Sequence, residues 1–191
     1  MTPTESMKIK VAAINIMLQQ INELPIETLR DLDSVYEARI AETVLLEITK
    51  DVLAQGWNFN TDENWDFQPD TTGQINLPVN VLDITADNGN VIMRDWALFN
   101  RDQKTFMFTE VQECTVIWDM DFNTLTHPLR KYITVRAARI YQTRMIGDAD
   151  GYGFTKKEEI EAKTSAEVSD DRTARYTMMN GVSGYLGRGS L

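Results

Sequence analysis

The chain has 191 residues, of which 42% are hydrophobic and 25% charged, and its formal net charge is −10. This length is sufficient to bury a core, and the composition is ordinary for a globular protein. The acidic balance argues against a general nucleic-acid binder, because neutralising phosphates requires clustered Lys and Arg. The single cysteine, Cys114, excludes an intramolecular disulfide, so a disulfide-bonded secreted scaffold is not expected.

The N-terminal third predicts two helices. The first covers residues 5–22, where Val11, Ile14 and Leu18 recur at helical spacing. Asn15 interrupts a run that otherwise resembles a short signal sequence, and no apolar run reaches membrane-spanning length. We therefore expect synthesis as a cytoplasmic protein. The second helix is predicted to start with a capping box of Ser34 and Glu37 and to end at a left-handed cap formed by Gly56.

The middle of the chain, from Trp57 to Trp118, contains short apolar runs separated by turn residues. These runs predict strands at 57–60, 65–68, 79–84, 91–94, 96–99, 105–109 and 113–118. Turns are expected at 87–90 and 100–103, where Asn, Asp and Gly are concentrated. Pro69 and Pro78 are expected at strand ends, and Cys114 is expected to be a small apolar residue of the last strand.

The C-terminal third returns to helical spacing. A third helix is predicted from Pro128, with Thr126 or His127 as its cap, to Gly147. A fourth is predicted from a capping box of Thr155 and Glu158 to about residue 179, and its few apolar residues indicate that it is largely exposed or awaits a partner. Four glycines within residues 180–191 predict a flexible tail, which would become ordered against a partner.

The predicted fold class is therefore α+β. Residues 1–56 and 127–179 would form an antiparallel bundle of four helices. Residues 57–126 would form an inserted small antiparallel β domain, and residues 180–191 a flexible C-terminal tail.

Charge is unevenly distributed along this predicted fold. Residues 1–129 carry 21 acidic and 8 basic side chains, whereas residues 130–146 carry five basic side chains and no acidic one. The five are Arg130, Lys131, Arg136, Arg139 and Arg144. Such a basic helix is either a solvated face or a contact surface for an acidic neighbour, including another copy of the chain.

The sequence lacks the motifs of common enzymes and metal sites. His127 is the only histidine, and its position at a helix start favours a capping or surface role over a catalytic triad. No Gly-rich phosphate loop, nucleophile elbow or zinc-ligand spacing occurs. Residues 148–159 match an EF-hand loop in part, but Tyr152 occupies position five, which favours a simple turn. No catalytic, metal or cofactor residue is assigned.

Several blocks occur in a fixed order along the chain. They are Leu-Pro-Ile-x-x-Leu at 24–29, Gln-Gly-Trp-Asn-Phe-Asn at 55–60, Pro-Asp-x-x-Gly-x-Ile-x-Leu-Pro at 69–78, the segment 91–99, and the segment 125–147 with Arg-Ala-Ala-Arg at 136–139. With these blocks, residues 10–150 resemble the tail tubular protein A family of short-tailed bacteriophages, whose members are also described as gatekeepers or adaptors.

The resemblance implies a helical bundle with an inserted β domain and a structural virion protein without catalysis. Members of the family form a twelve-fold ring between the portal and the tail nozzle, through which DNA passes. The implied partners are further copies of this chain, a portal protein and a tail nozzle protein. DNA would pass without specific binding, no membrane would be involved, and the location would be the virion tail after assembly in the host cytoplasm.

The residues expected to contact another subunit or the portal lie in the third helix and the tail. They are Arg130, Lys131, Arg136, Arg139, Arg144, Tyr185, Leu186 and Arg188. Two alternatives stay open from the sequence. One is a phage-associated glycan hydrolase that uses a pair of carboxylates. The other is a host-derived helical protein with a calcium loop at 148–159.

Overall fold

A computed structural model describes the backbone of residues 3–86, 89–147 and 154–186, with side chains described for 7–86, 89–147 and 154–174. The elements in chain order are α1 (Pro3–Gln19), α2 (Tyr36–Leu53), β1 (Thr61–Phe67), β2 (Val81–Ala86), β3 (Val91–Arg94), β4 (Ala97–Asn100), β5 (Gln112–Trp118), α3 (His127–Ile146) and α4 (Lys156–Leu186). Short 3₁₀ helices occur at Leu29–Asp33 and Phe122–Thr124. Four helices and small antiparallel sheets confirm the α+β class.

The chain divides into two compact units. The helical unit contains Met1–Val52 and Asp121–Leu191, and the β unit contains Leu53–Met120. The β unit thus starts at Leu53 instead of Trp57, and it ends at Met120 instead of Thr126. Each unit is described by itself below.

In the helical unit, α1 ends in a Schellman motif. Asn22 adopts a left-handed conformation with φ +59°, and the Glu23 N–H donates to the Leu18 carbonyl at 3.1 Å. The loop that follows is fixed to α1 by Asn15, whose amide both donates to the Ile26 carbonyl and accepts from the Ile26 N–H, at 2.9 and 2.8 Å. Asn15 therefore has a structural role in positioning the 24–29 block.

The predicted capping box at Ser34 and Glu37 is wrong. The box forms earlier, where Thr28 caps the 3₁₀ helix Leu29–Asp33 and Asp31 accepts from the Thr28 N–H at 2.8 Å. The Ser34 hydroxyl instead donates to the Asp31 carbonyl. Ser34 is thereby part of the end of the 3₁₀ helix, in which Leu32 is buried.

The two C-terminal helices begin where the sequence predicts. Thr126 is the N-cap of α3, with proline in the first turn, and Gly147 ends the helix at φ +78°. Thr155 and Glu158 form the predicted capping box at the start of α4, with the Thr155 N–H donating to the Glu158 carboxylate at 2.8 Å. This hydrogen bond from the Thr155 N–H lowers the pKa of Glu158.

The fourth helix extends beyond its predicted end near residue 179, because α4 continues to Leu186. Glycine disfavours helix, but extending an existing helix adds one backbone hydrogen bond for each residue that is fixed. Residues 187–191 lie outside the described residues.

The β unit contains a three-stranded antiparallel sheet in the order β1-β5-β2 and an antiparallel hairpin of β3 and β4. Its core includes the fully buried Cys114 thiol and Val116 from β5, which confirms the predicted apolar role of the cysteine. Around them pack Phe67, Ile75, Leu77, Val81, Ile84, Ala86, Val91, Leu98 and Phe108. The sheet is small because its strands are only four to seven residues long.

Two of the predicted strands are wrong. Segment 57–60 is a turn, in which the Asn60 N–H donates to the Trp57 carbonyl. Segment 105–109 makes only isolated bridges, from Thr105 to Asn100 and from Met107 to Gln74. The remaining predicted strands match β1 to β5 with shifts at their ends. Of the predicted turn at 87–90, residues 87 and 88 lie outside the described residues.

The block at 69–78 forms a loop whose conformation is fixed by hydrogen bonds to Asp70. Asp70 accepts hydrogen bonds from the N–H groups of Thr72 and Gln74 and from the Thr72 hydroxyl, the last at 2.6 Å. These bonds, led by the Thr72 hydroxyl, lower the pKa of Asp70. Gly73 has φ +84°, which a residue with a Cβ adopts only with strain. The loop thereby delivers Ile75 and Leu77 to the core.

Within the described part of the chain, every helix is too short or too polar to cross a membrane.

Candidate assembly interface

Three of the five basic residues of α3 form ion pairs inside the helical unit. The Arg139 Nε donates to the Glu159 carboxylate of α4 at 2.6 Å, and Arg136 lies 3.8 Å from the other oxygen of the same carboxylate. Arg136 also donates to the Tyr132 hydroxyl at 3.1 Å. These contacts join α3 to α4, where Ala162 and Ala166 are buried. Both guanidinium groups are therefore engaged within the chain, although they share a single carboxylate.

Arg144 is the third paired residue. Its guanidinium makes two parallel hydrogen bonds to the Glu47 carboxylate of α2, each 2.7 Å long. The hydrogen bonds from Arg144 lower the pKa of Glu47, and they raise the pKa of Arg144. Both side chains are nearly half exposed, so solvent weakens the pair.

Arg130 and Lys131 retain their charge at the start of α3. The Arg130 guanidinium donates to the carbonyls of Asn123 and Leu125, at 3.1 and 2.9 Å, and these partners are neutral. Lys131 is exposed. Neither of them forms a salt bridge with a described acidic residue. Arg130 and Lys131 are thus the two basic residues of α3 without an acidic partner among the described residues.

This charged turn borders an apolar groove between α1 and α3, which we call the α1–α3 groove. Its volume is about 330 Å³, and His127, Arg130 and Lys131 lie on its edge. Its apolar lining comes from both helices and two flanking aromatic residues: Ile9, Ala12, Ile16, Val135, Phe122 and Phe154. The sequence did not predict the groove, although Ile9 and Ile16 lie seven residues apart, a spacing that returns to the same side of a helix.

The described side chains of α4, residues 156–174, are mostly exposed. Its 31 residues correspond to about 46 Å, against about 30 Å for the 20 residues of α3. Among its described side chains, Ile160 and Val168 are more than half exposed. This agrees with the prediction of a largely exposed fourth helix. The predicted contact residues Tyr185 and Leu186 lie at its end with undescribed side chains, and Arg188 is outside the described residues.

The calcium-loop alternative lacks a ligand at its last position. Residue twelve of the proposed loop is Glu159, whose carboxylate is paired with Arg139 and Arg136. Residues 148–153 lie outside the described residues. Among the residues that are described, no three potential ligands from His, Cys, Asp and Glu come close enough to hold a metal ion.

A carboxylate pair does occur, but on an open surface. Asp66 of β1 and Glu113 of β5 are directly opposite each other in the sheet register, and both side chains are exposed. A glycosidase needs one carboxylic acid in an environment that raises its pKa and a cleft that holds the sugar. An exposed pair on a sheet surface supplies neither the cleft nor the burial.

Comparison with known proteins identifies the family. A family model described as tail tubular protein matches residues 11–176. The chain belongs to the tail tubular protein family. This family is structural, and the protein is accordingly a component of the bacteriophage virion tail. No curated protein matched significantly.

The match to the tail tubular protein family extends over both units, and it includes the whole β unit, α3 and every lining residue of the α1–α3 groove except Ile9. It ends at residue 176, before Tyr185, Leu186 and Arg188. The family therefore includes the basic turn of α3, whereas the three predicted contact residues near the C-terminus lie beyond the matched region.

Proposed function

We propose that this tail tubular protein is a non-enzymatic adaptor that assembles into a twelve-fold ring between the portal and the tail nozzle. DNA would pass through the ring without specific binding, after assembly in the host cytoplasm. The observation that carries the proposal is the family match over residues 11–176, which spans both units. The ordered blocks from 24–29 to 125–147 support the same assignment.

The charge distribution supports assembly into a ring. A ring subunit needs two different surfaces that meet each other in neighbouring copies. The first turn of α3 is positive and borders an apolar groove, while the whole chain has a net charge of −10. An acidic channel wall would also limit adhesion of passing DNA through like-charge repulsion.

The exposed α4 supports docking to the portal. A helix that exposes Ile160 and Val168 buries little of its own apolar surface, so it gains stability when a partner covers it. We therefore expect the C-terminal end of α4, together with the residues that follow it, to contact the portal.

Mixing experiments test the adaptor function. The purified chain is measured by mass photometry alone and with the portal protein, and we expect a monomer or weak oligomer alone and a ring on the portal. A chain that ends at Met179 should fold normally, as measured by circular dichroism, but should not bind the portal. Normal portal binding by this truncated chain would contradict the role of the C-terminal end.

The enzymatic alternative has a separate test. The chain and its Asp66→Asn and Glu113→Gln variants are assayed on cell-wall and capsular glycans. We expect no hydrolysis by any of the three proteins. Hydrolysis by the parent chain that either substitution abolishes would establish the glycan hydrolase instead.

A further inference from the structure

The tip of the β3–β4 hairpin places a tryptophan in an unfavourable backbone conformation. Because Arg94 pairs with Ala97, Asp95 and Trp96 are the two central residues of the turn. Their φ angles are +50° and +57°, as a type I′ turn requires. Glycine and asparagine adopt this conformation readily, whereas a bulky aromatic residue is an outlier there.

The strained tip is held in place by its surroundings. The Leu77 N–H donates to the Trp96 carbonyl at 2.8 Å, and Asn76 forms a bridge with Ala97. The Trp96 side chain is nevertheless 54% exposed, so burial within its own unit does not offset the strain. Strained backbone conformations that persist in a folded protein are concentrated at functional sites. Tryptophan is also enriched among the interface residues that contribute most to binding energy.

The α1–α3 groove matches this tip in size and charge. Its volume of about 330 Å³ lies at the lower end of ligand pockets, which suits a single large side chain. Arg130 and Lys131 on its edge lack acidic partners among the described residues. Asp95, which is exposed next to Trp96, carries the complementary charge.

We propose that Trp96 of one copy inserts into the α1–α3 groove of a second copy, with Asp95 facing Arg130 and Lys131. The two surfaces differ, so each copy keeps one surface available for the next, and such heterologous contacts generate rings when the rotation closes. The proposal rests on the proposed function in one respect, that the partner is another copy of this chain.

Two substitutions remove one side of the contact each. Trp96→Gly creates the Asp-Gly turn that hairpins favour, so the variant should fold at least as well as the parent. Ala12→Trp fills the groove from an exposed position on α1. Each should weaken self-association on the order of 30-fold, as measured by sedimentation velocity. The matched control is Trp65→Ala, which removes another exposed tryptophan and should leave association unchanged.

Mixing the two variants gives a sharper result. The Trp96→Gly chain keeps its groove and the Ala12→Trp chain keeps its tip, so a mixture should form heterodimers and no larger species. Association of Trp96→Gly at the parental strength would overturn the proposal. So would a mixture that stays monomeric, or that forms the same higher oligomers as the parent.

Disulfide trapping covers the case of weak association. Chains with Trp96→Cys and chains with Ala12→Cys carry different tags and are mixed under oxidising conditions, where the native Cys114 is protected by burial. A mixed dimer linked through these two positions supports the contact, and its absence at the highest soluble concentration refutes it. If the mixed dimer forms but the chain does not bind the portal, only the adaptor role is refuted. The two proposals can therefore fail separately.

Discussion

Replacing Asn60 with alanine tests what holds together the start and the end of the β unit. The Asn60 side chain is fully buried and makes three hydrogen bonds to backbone groups. It donates to the carbonyls of Leu53 and Trp118, at 3.1 and 2.8 Å, and it accepts from the Trp57 N–H at 2.8 Å. One amide thus links Leu53, the first residue of the β unit, to Trp118 at the end of the last strand.

The expected loss of stability follows from these bonds. A buried hydrogen bond contributes about 1 kcal/mol net, so three bonds correspond to about 3 kcal/mol. Domains of this size are stable by about 5–15 kcal/mol, and each kcal/mol shifts the melting temperature of a 60–100-residue domain by about 4–8 °C. The melting temperature of the β unit should therefore fall by about 12–24 °C.

Tryptophan fluorescence measures this unit specifically. All four tryptophans, Trp57, Trp65, Trp96 and Trp118, belong to the β unit, so their emission during urea unfolding reports its stability. The matched control is Asn80→Ala, because Asn80 is an exposed asparagine of the same unit and its loss should change stability by less than about 0.5 kcal/mol. Equal small effects of both substitutions would refute the reasoning.

Three further predictions concern charge and burial. Tyr141→Phe should lower the free energy of unfolding by about 1 kcal/mol, because it removes the bond to the Glu37 carbonyl. Burial raises the pKa of Tyr141 to about 12, so the free energy of unfolding of the parent should fall between about pH 10 and 12. Urea titration should show a smaller fall for the variant. Glu47→Gln should lower the free energy of unfolding by less than about 1 kcal/mol near neutral pH. Because Arg144 lowers the pKa of Glu47 in the folded chain, the difference between parent and variant should vanish as the pH falls through that folded pKa. A difference that stays constant in acid would contradict the assignment. Asp66→Lys should raise the stability of the β unit by about 0.2–1 kcal/mol by creating an opposite-charge pair with Glu113, and high salt should remove the gain, as followed by tryptophan fluorescence.

Helix ends show which local signals could be read correctly. Gly56 and Gly147 were predicted as terminating residues, and both have positive φ angles. The capping box of Thr155 and Glu158 was also predicted correctly. These features depend on interactions within about four residues, so their signals are contained in short stretches of sequence.

Errors arose where a distant partner decides the local structure. Segment 57–60 has the aromatic composition of a strand, but the Asn60 amide bonds to Trp118, which is 58 positions away, and a turn results. The predicted box at Ser34 failed for a different reason, because the Ser34 hydroxyl donates to the Asp31 carbonyl of the preceding 3₁₀ helix.

The candidate interface shows the same division. The sequence by itself determined the position of the basic helix, its amphipathic neighbours and the family blocks, because charge and periodicity are properties of consecutive residues. Only the tertiary structure decided that Arg136, Arg139 and Arg144 pair with Glu159 and Glu47. It also decided that Arg130 and Lys131, which have no acidic partner among the described residues, lie at the α1–α3 groove. Ion pairs and grooves join residues far apart in the chain, and their distances are set by the packing of whole helices.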